Sequence, residues 1–194
     1  MFTIDGFIEE CRSALRETTP QVAVREVVER AVADPATART FAPDRSAFDV
    51  LHRSDELTVL HLALPPGIGS MPHNHLMWAV VGVIEGQEDN AFFVRADGGL
   101  APRGGRELRN RDVLSMGDDA IHAITNPKTS YLSALHVYGG DLVGAERSEW
   151  DASGRTERPY DESRIEALVA RVRAREAELG RGLTGDEIHQ LVRS

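Results

Sequence analysis

The sequence predicts an all-β core of sandwich or jelly-roll type with helices at both ends. From about Ala47 onward, short apolar or alternating runs follow one another, separated by Gly, Pro, Asp and Asn, the texture of many strands with closely spaced turns. Before that point apolar residues recur at helical spacing, and after Trp150 a polar stretch leads into a second helical pattern. A chain of 194 residues is the size of one domain with accessory helices. We therefore expect a single domain over 1–194: a helical extension over 1–44, a β-barrel over 45–150, and a polar linker with helices over 151–194.

Residues 3–18 and 20–33 read as helices, with Phe7, Ile8, Cys11 and Leu15 on one face of the first and Val22, Val27, Val28 and Ala31 on one face of the second. Pro20 suits a helix start, where its missing N–H would be unpaired in any case. "DPATARTFAPDRS" reads as a connector. Strands are expected in "AFDVLH", "LTVLHLALPPG", "WAVVGVIEG", "NAFFVRAD", "RELRNRDVLSMG", "AIHAITN" and "SYLSALHVYGG". "RADGGLAPRGGRE" reads as a glycine-rich loop, either a cover for the barrel mouth or a passive hairpin end. "RIEALVARVRAREAELG" is a helix ended by Gly180. "LTGDEIHQLVRS" is a short last helix with Thr184 as N-cap and Glu187 three residues on, a capping box.

The net charge of -9 is spread along the chain, and no basic cluster is dense enough to track a phosphate backbone, so nucleic acid is not an expected partner. A single cysteine, Cys11, excludes an internal disulfide and fits a reducing compartment. No run of eighteen apolar residues occurs, and the acidic start "MFTIDGFIEE" is unlike a signal peptide. A cytoplasmic location without membrane contact is expected. The flanking helices could cover an edge strand or build an interface, which leaves monomer and homodimer both open.

The stretch that carries chemistry is "GIGSMPHNHLMWAVVGVIEGQE". In a strand, residues two apart face the same way, so His73 and His75 project together, roughly 7 Å apart along the backbone. Two imidazoles on one face can hold a divalent ion, but the pair alone equally fits solvated histidines at a strand end. The flanks add Gly67 with five residues between it and His73, Pro72 at the entry, and Gly86 after the apolar run.

That arrangement resembles the first motif of the cupin superfamily, in which glycine, H-x-H and a later glycine frame a metal site inside a small β-barrel (a double-stranded β-helix). The resemblance implies a third histidine some way downstream, near a glycine and followed by an asparagine. "GDDAIHAITNP" supplies His122 after Gly117 and before Asn126. Asn126 reads as a turn residue. The carboxylate that many cupins carry shortly after the second histidine is absent, because Ala79 and Val80 stand there. Glu85, beside the hairpin turn, reads as solvated. Three neutral imidazoles leave a metal with its full charge and open positions, a site suited to an anionic ligand, and imidazole suits Fe, Zn, Ni or Cu alike.

A fuller resemblance is to the cysteine dioxygenase-like thiol dioxygenases. It rests on "HNHLMWAVVGVIEG", "AIHAITNP", "HVYGGDL" and the tail "RSEWDASGRTERPYD". It implies one Fe(II) per chain held by His73, His75 and His122, no organic cofactor, and a small thiol oxidised by O2 to a sulfinate. It also implies that Tyr138 reaches over the metal while His136 steadies its hydroxyl. This chain departs from the family in several places: Asn74 replaces the usual aspartate, Ala134 stands where a serine commonly supports the histidine, and Val80 occupies the place of the cysteine cross-linked to tyrosine in mammalian-type members. The upstream carboxylate-gripping arginine is missing as well, Ala47 or Phe48 falling there with Arg45 and Arg53 off register. Free cysteine is then not the expected substrate. Arg147 corresponds to the downstream arginine of relatives that act on mercaptopropionate, with a solvated surface position as the alternative. Met71, Met77, Trp78 and His61 are candidates to line a substrate pocket. Two other functions stay open: a three-histidine oxygenase of a non-thiol substrate, and a non-catalytic cupin binding metal or a small ligand.

Overall fold

The structure, a computed structural model, describes residues 2–42 and 44–193; Pro43 of the connector lies outside them. Its core is two antiparallel sheets. The first contains β1 (Ala47–Arg53), β2 (Thr58–Leu64), β4 (Ala79–Glu85), β7 (Val113–Met116) and β9 (Leu132–Tyr138), in the order β1-β2-β9-β4-β7. The second contains β3 (His73–Asn74), β5 (Gln87–Ala96), β6 (Gly99–Arg109), β8 (Ile121–Thr125), β10 (Ser148–Trp150) and β11 (Glu157–Pro159), in the order β11-β10-β3-β8-β5-β6. The hairpins β1–β2, β5–β6 and β10–β11 each stay within one sheet, and from β2 to β5 and from β6 to β10 the chain crosses between the sheets at every step, which makes the jelly roll, or double-stranded β-helix, expected from the sequence, with helices at both ends.

Strands β4 and β9 are buried on both faces, which explains their near-continuous apolar sequence. One face of each, with Val80, Ile84, Leu135 and Val137, packs under α1 (Ile4–Ala14) and α2 (Pro20–Ala33) against Phe7, Cys11, Val24, Val28 and Val32. Gly82 lets α2 approach closely: a methyl there would stand 2.4 Å from Val28 Cγ1. Cys11 is a packing residue, its thiol pushed up to about 12 chiefly by burial. The opposite face, with Val81, Val83, Leu132, Ala134 and Tyr138, looks into the barrel with Leu60 and Leu142.

Several expectations change. The connector holds a helix, α3 (Pro35–Thr40), because the Asp34 side chain accepts the Ala36 N–H and Pro35 is at the first turn. The glycine-rich "RADGGLAPRGGRE" is no mouth loop: all but Asp97, Gly98 and the bulged Arg103 pair as the long β5–β6 hairpin, the glycines serving its tight turn and the bulge opposite Phe92 and Phe93. The polar stretch after Trp150 is likewise ordered by strand pairing, β10 with β11. At the C-terminal end α4 (Glu162–Leu179) ends on Gly180 at φ 69°, and Thr184 and Glu187 exchange the expected capping bonds at the start of α5 (Gly185–Arg193). Glu176 pins α4 to the barrel by accepting from Tyr131 Oη and the Ser46 N–H. Among the described residues no helix is long and apolar enough to cross a membrane.

Candidate metal centre

His73 and His122 are cross-strand partners in β3 and β8. His75 follows the end of β3, where Leu76 turns the chain at φ 60°, so the two histidines of the H-x-H converge by a turn rather than along one strand. His75 Nε2 lies 3.2 Å from His73 Nε2 and 3.3 Å from His122 Nε2, and all three residues are at least 93% buried (relative exposures of 7, 2 and 1%).

The tautomers follow from the outer contacts. His73 Nδ1 lies 2.9 Å from the Met71 carbonyl and His122 Nδ1 2.8 Å from Asn90 Oδ1. Both acceptors require an N–H, so these rings turn bare Nε2 atoms inward. His75 Nδ1 is buried with no hydrogen-bond partner among the described residues, and whichever tautomer His75 takes, at least one inward nitrogen has no proton to share. A cation at the centre satisfies all three. Ligands about 2.0–2.1 Å from one ion stand about 2.8–3.4 Å apart in octahedral or tetrahedral arrangement, which the separations of 3.2 and 3.3 Å fit. Burial keeps the rings neutral, the form that ligates: it holds His73 down at about 4, and it lowers His75 and His122 well below the usual imidazole range, aided by the neighbouring histidines. The donor set therefore fits a divalent transition metal.

Beside the cluster, the Tyr138 ring packs edge-on to His75 at 4.9 Å, and its hydroxyl lies 3.2 Å from His136 Nδ1. Burial raises the Tyr138 phenol above its ordinary range, and Arg147 opposes the rise. His136 Nε2 is 3.1 Å from Glu88 Oε2. Glu88, fully buried on β5, thus gives His136 a carboxylate partner. The missed signal was parity: Glu88, Asn90 and Phe92 share a strand face, and Phe92 pairs directly with His122.

A cavity of about 90 Å³ opens on the cluster, room for several waters or one small ligand. It is walled by His73, His75, His122, His136 and Tyr138, by Leu62, Leu64 and Ile68, and by Ile165, Leu168 and Val172 of α4. Arg147 enters it from the β10 side, only 5% exposed, which removes the surface alternative. Its guanidinium sits 3.4 Å from the Tyr160 ring centroid and 3.1 Å from Glu162 Oε1. Tyr160, in a segment read as linker, was also missed.

Other pocket candidates lie elsewhere. His61 has Leu60 and Leu62 as inward-facing neighbours, so its own side chain points out of the barrel, stacking on Phe41 and bonding Ser133 Oγ. Trp78 shares the outward parity of Val80 and packs with the N-terminal helices over Gly139. Met77 packs against Gly140 outside the cavity wall, and Met71 is 43% exposed. Asn126 is a turn residue, its side chain bridging the Leu64 and Ser130 carbonyls.

No family model matches the chain. Solved structures similar to it include an oxalate oxidase in complex with the substrate analogue glycolate (15% identity, 44% of this chain and 42% of that chain, TM-score 0.39). Others are a cupin superfamily protein from Desulfitobacterium hafniense (16%, 50% and 79%, TM-score 0.41) and an RmlC-like cupin from Methanocaldococcus jannaschii (12%, 50% and 83%, TM-score 0.41). The match spans less than half the length of the oxalate oxidase chain.

Proposed function

We propose that this chain is a mononuclear iron dioxygenase that oxidises a small thiol acid with an aliphatic body to its sulfinate. The observation that carries the reading is the convergence on one cavity of three inward imidazole nitrogens, the Tyr138 phenol and the Arg147 guanidinium. His73, His75 and His122 would hold the metal, which supplies when bound a Lewis-acidic, redox-active centre where a thiolate and dioxygen can meet. The overall reaction, RS− + O2 → RSO2−, places both oxygen atoms on sulfur, which gives up four electrons. No further reductant is needed.

The chain's own residues do the rest. Arg147 offers a planar fork to a carboxylate, held ready by the Tyr160 ring below it and by Glu162 at its edge. Leu62, Leu64, Ile68, Leu168 and Val172 exclude water and accommodate aliphatic carbon. The Tyr138 hydroxyl, close to the cluster, can exchange a hydrogen bond with the reacting group, backed by His136. That the wall is largely aliphatic also supports a second reading, oxidation of a non-thiol acid.

Oxygen uptake by iron-loaded protein with cysteine, cysteamine, mercaptopropionate and branched mercapto acids, beside a His122→Ala control, tests the proposal. Uptake with sulfinate product, lost in the control, is expected. No uptake with any thiol, from protein holding one iron per chain, would overturn the thiol reading in favour of the second.

A further inference from the structure

Glu88 is a carboxylate with no exposed surface inside an apolar barrel, a placement that costs several kcal/mol unless hydrogen bonds compensate. Both oxygens are engaged. Oε1 accepts from Asn90 Nδ2 at 3.0 Å and Oε2 lies 3.1 Å from His136 Nε2. Each partner leads on to the reaction cavity: Asn90 Oδ1 accepts from His122 Nδ1, and His136 Nδ1 meets the Tyr138 hydroxyl. One buried acid side chain on the second sheet thus stands between a metal-site histidine and a phenol carried by the first sheet.

We infer that Glu88 is a positioning residue that sets the hydrogen-bond direction along both arms. A carboxylate only accepts, so His136 presents Nε2–H to it and, carrying one ring proton, a bare Nδ1 to Tyr138. The phenol then donates to His136 and turns its oxygen lone pairs to the cavity. On the other arm, Asn90 gives its amide N–H to Glu88 and is left with its carbonyl facing His122, which keeps His122 Nδ1 protonated and Nε2 bare. Outer partners of this kind commonly govern ligand orientation and affinity. The inference concerns the same site as the proposed function, and the hydrogen-bond pattern itself holds whatever the substrate is.

The test is the ring-nitrogen NMR spectrum of 15N-histidine-labelled protein, metal-free and zinc-loaded, for the native sequence and Glu88→Gln. The native protein should show His136 as the Nε2–H tautomer. In Glu88→Gln the side-chain oxygen can still accept from Asn90, while its amide donates to His136 Nε2 and drives that ring to the Nδ1–H tautomer. Zinc affinity should then change less than about threefold, whereas Glu88→Leu, which frees Asn90, should weaken it about 10-fold or more. An Nδ1–H tautomer in the native protein, or an Nε2–H signal unchanged by Glu88→Gln, overturns the inference. Neither outcome depends on turnover: a thiol dioxygenase could lack this pattern, and a protein inactive on thiols could possess it.

Discussion

The Arg147 guanidinium lies face-on over the Tyr160 ring, 3.4 Å from its centroid, in the cavity that also exposes His73. Stacking and the Glu162 contact fix the plane of the fork. A lysine would keep the charge and lose both. Under the proposed function, Arg147→Lys should raise KM for a mercapto acid about 10–100-fold, the equivalent of about 1.4–2.7 kcal/mol, and leave KM for a neutral thiol of the same length nearly unchanged. Steady-state oxygen uptake with the matched pair decides it; an equal effect on both substrates removes Arg147 as a carboxylate clamp.

Metal should be part of the folded state's stability. His75 contributes the Nε2 that lies within 3.3 Å of both other rings, so His75→Ala should drop metal content from one ion per chain to nearly none. Chelation of the native protein should lower Tm by several degrees, because an ion at 1,000 times its Kd adds about 4 kcal/mol. Metal analysis and thermal melting check this. A native Tm indifferent to chelation would contradict it.

Acid should weaken the metal-free protein. His73 is held at about 4 when folded, against an ordinary value near 6.5, and His75 and His122 are lowered too. The unfolded chain therefore binds more protons between those limits. The contribution is intact above pH 6.5 and is lost as pH falls toward 4, at up to about 1.4 kcal/mol per pH unit for each histidine. Urea midpoints at pH 7, 6 and 5 should fall in order, and equal midpoints across that range would refute the assignment.

The N-terminal helices rest on Gly82. A Gly82→Ala methyl would stand 2.4 Å from Val28 Cγ1 and 2.8 Å from Val32 Cγ1. Overpacking of this sort costs about 1–3 kcal/mol, more than the ~0.4–1 kcal/mol that alanine returns through the unfolded chain. Denaturant titration should show the loss while metal content stays at the native value. A stabilised variant would mean that α2 sits less tightly on β4.

Legibility followed periodicity. Strands β4 and β9 announced themselves by apolar runs, the capping box by Thr184 and Glu187, and His73, His75 and His122 by spacing and the glycines around them. What stayed hidden depends on tertiary pairing. Nothing local tells that "ERP" becomes a strand, since its partner Ser148–Trp150 supplies the hydrogen bonds. Glu88 looked like one acid among the polar residues of "GQEDN", and only the register of β5 on β8 puts it inside. His61, Trp78 and Met77 were candidates to line the pocket, whereas strand parity turns His61 and Trp78 outward and Met77 packs against Gly140.

The phenol and its histidine ride on β9, the central strand of its sheet and buried on both faces. The arginine and its stacking partner belong to the β10–β11 region, at the far edge of the other sheet. Amide protons of β9 should exchange with solvent only on global opening, and those around Tyr160 through cheaper local excursions. On that expectation the molecule would be divided in time as well as in space: a slow wall that keeps Tyr138 and His136 in register, and a faster margin beside the cavity that opens without disturbing it.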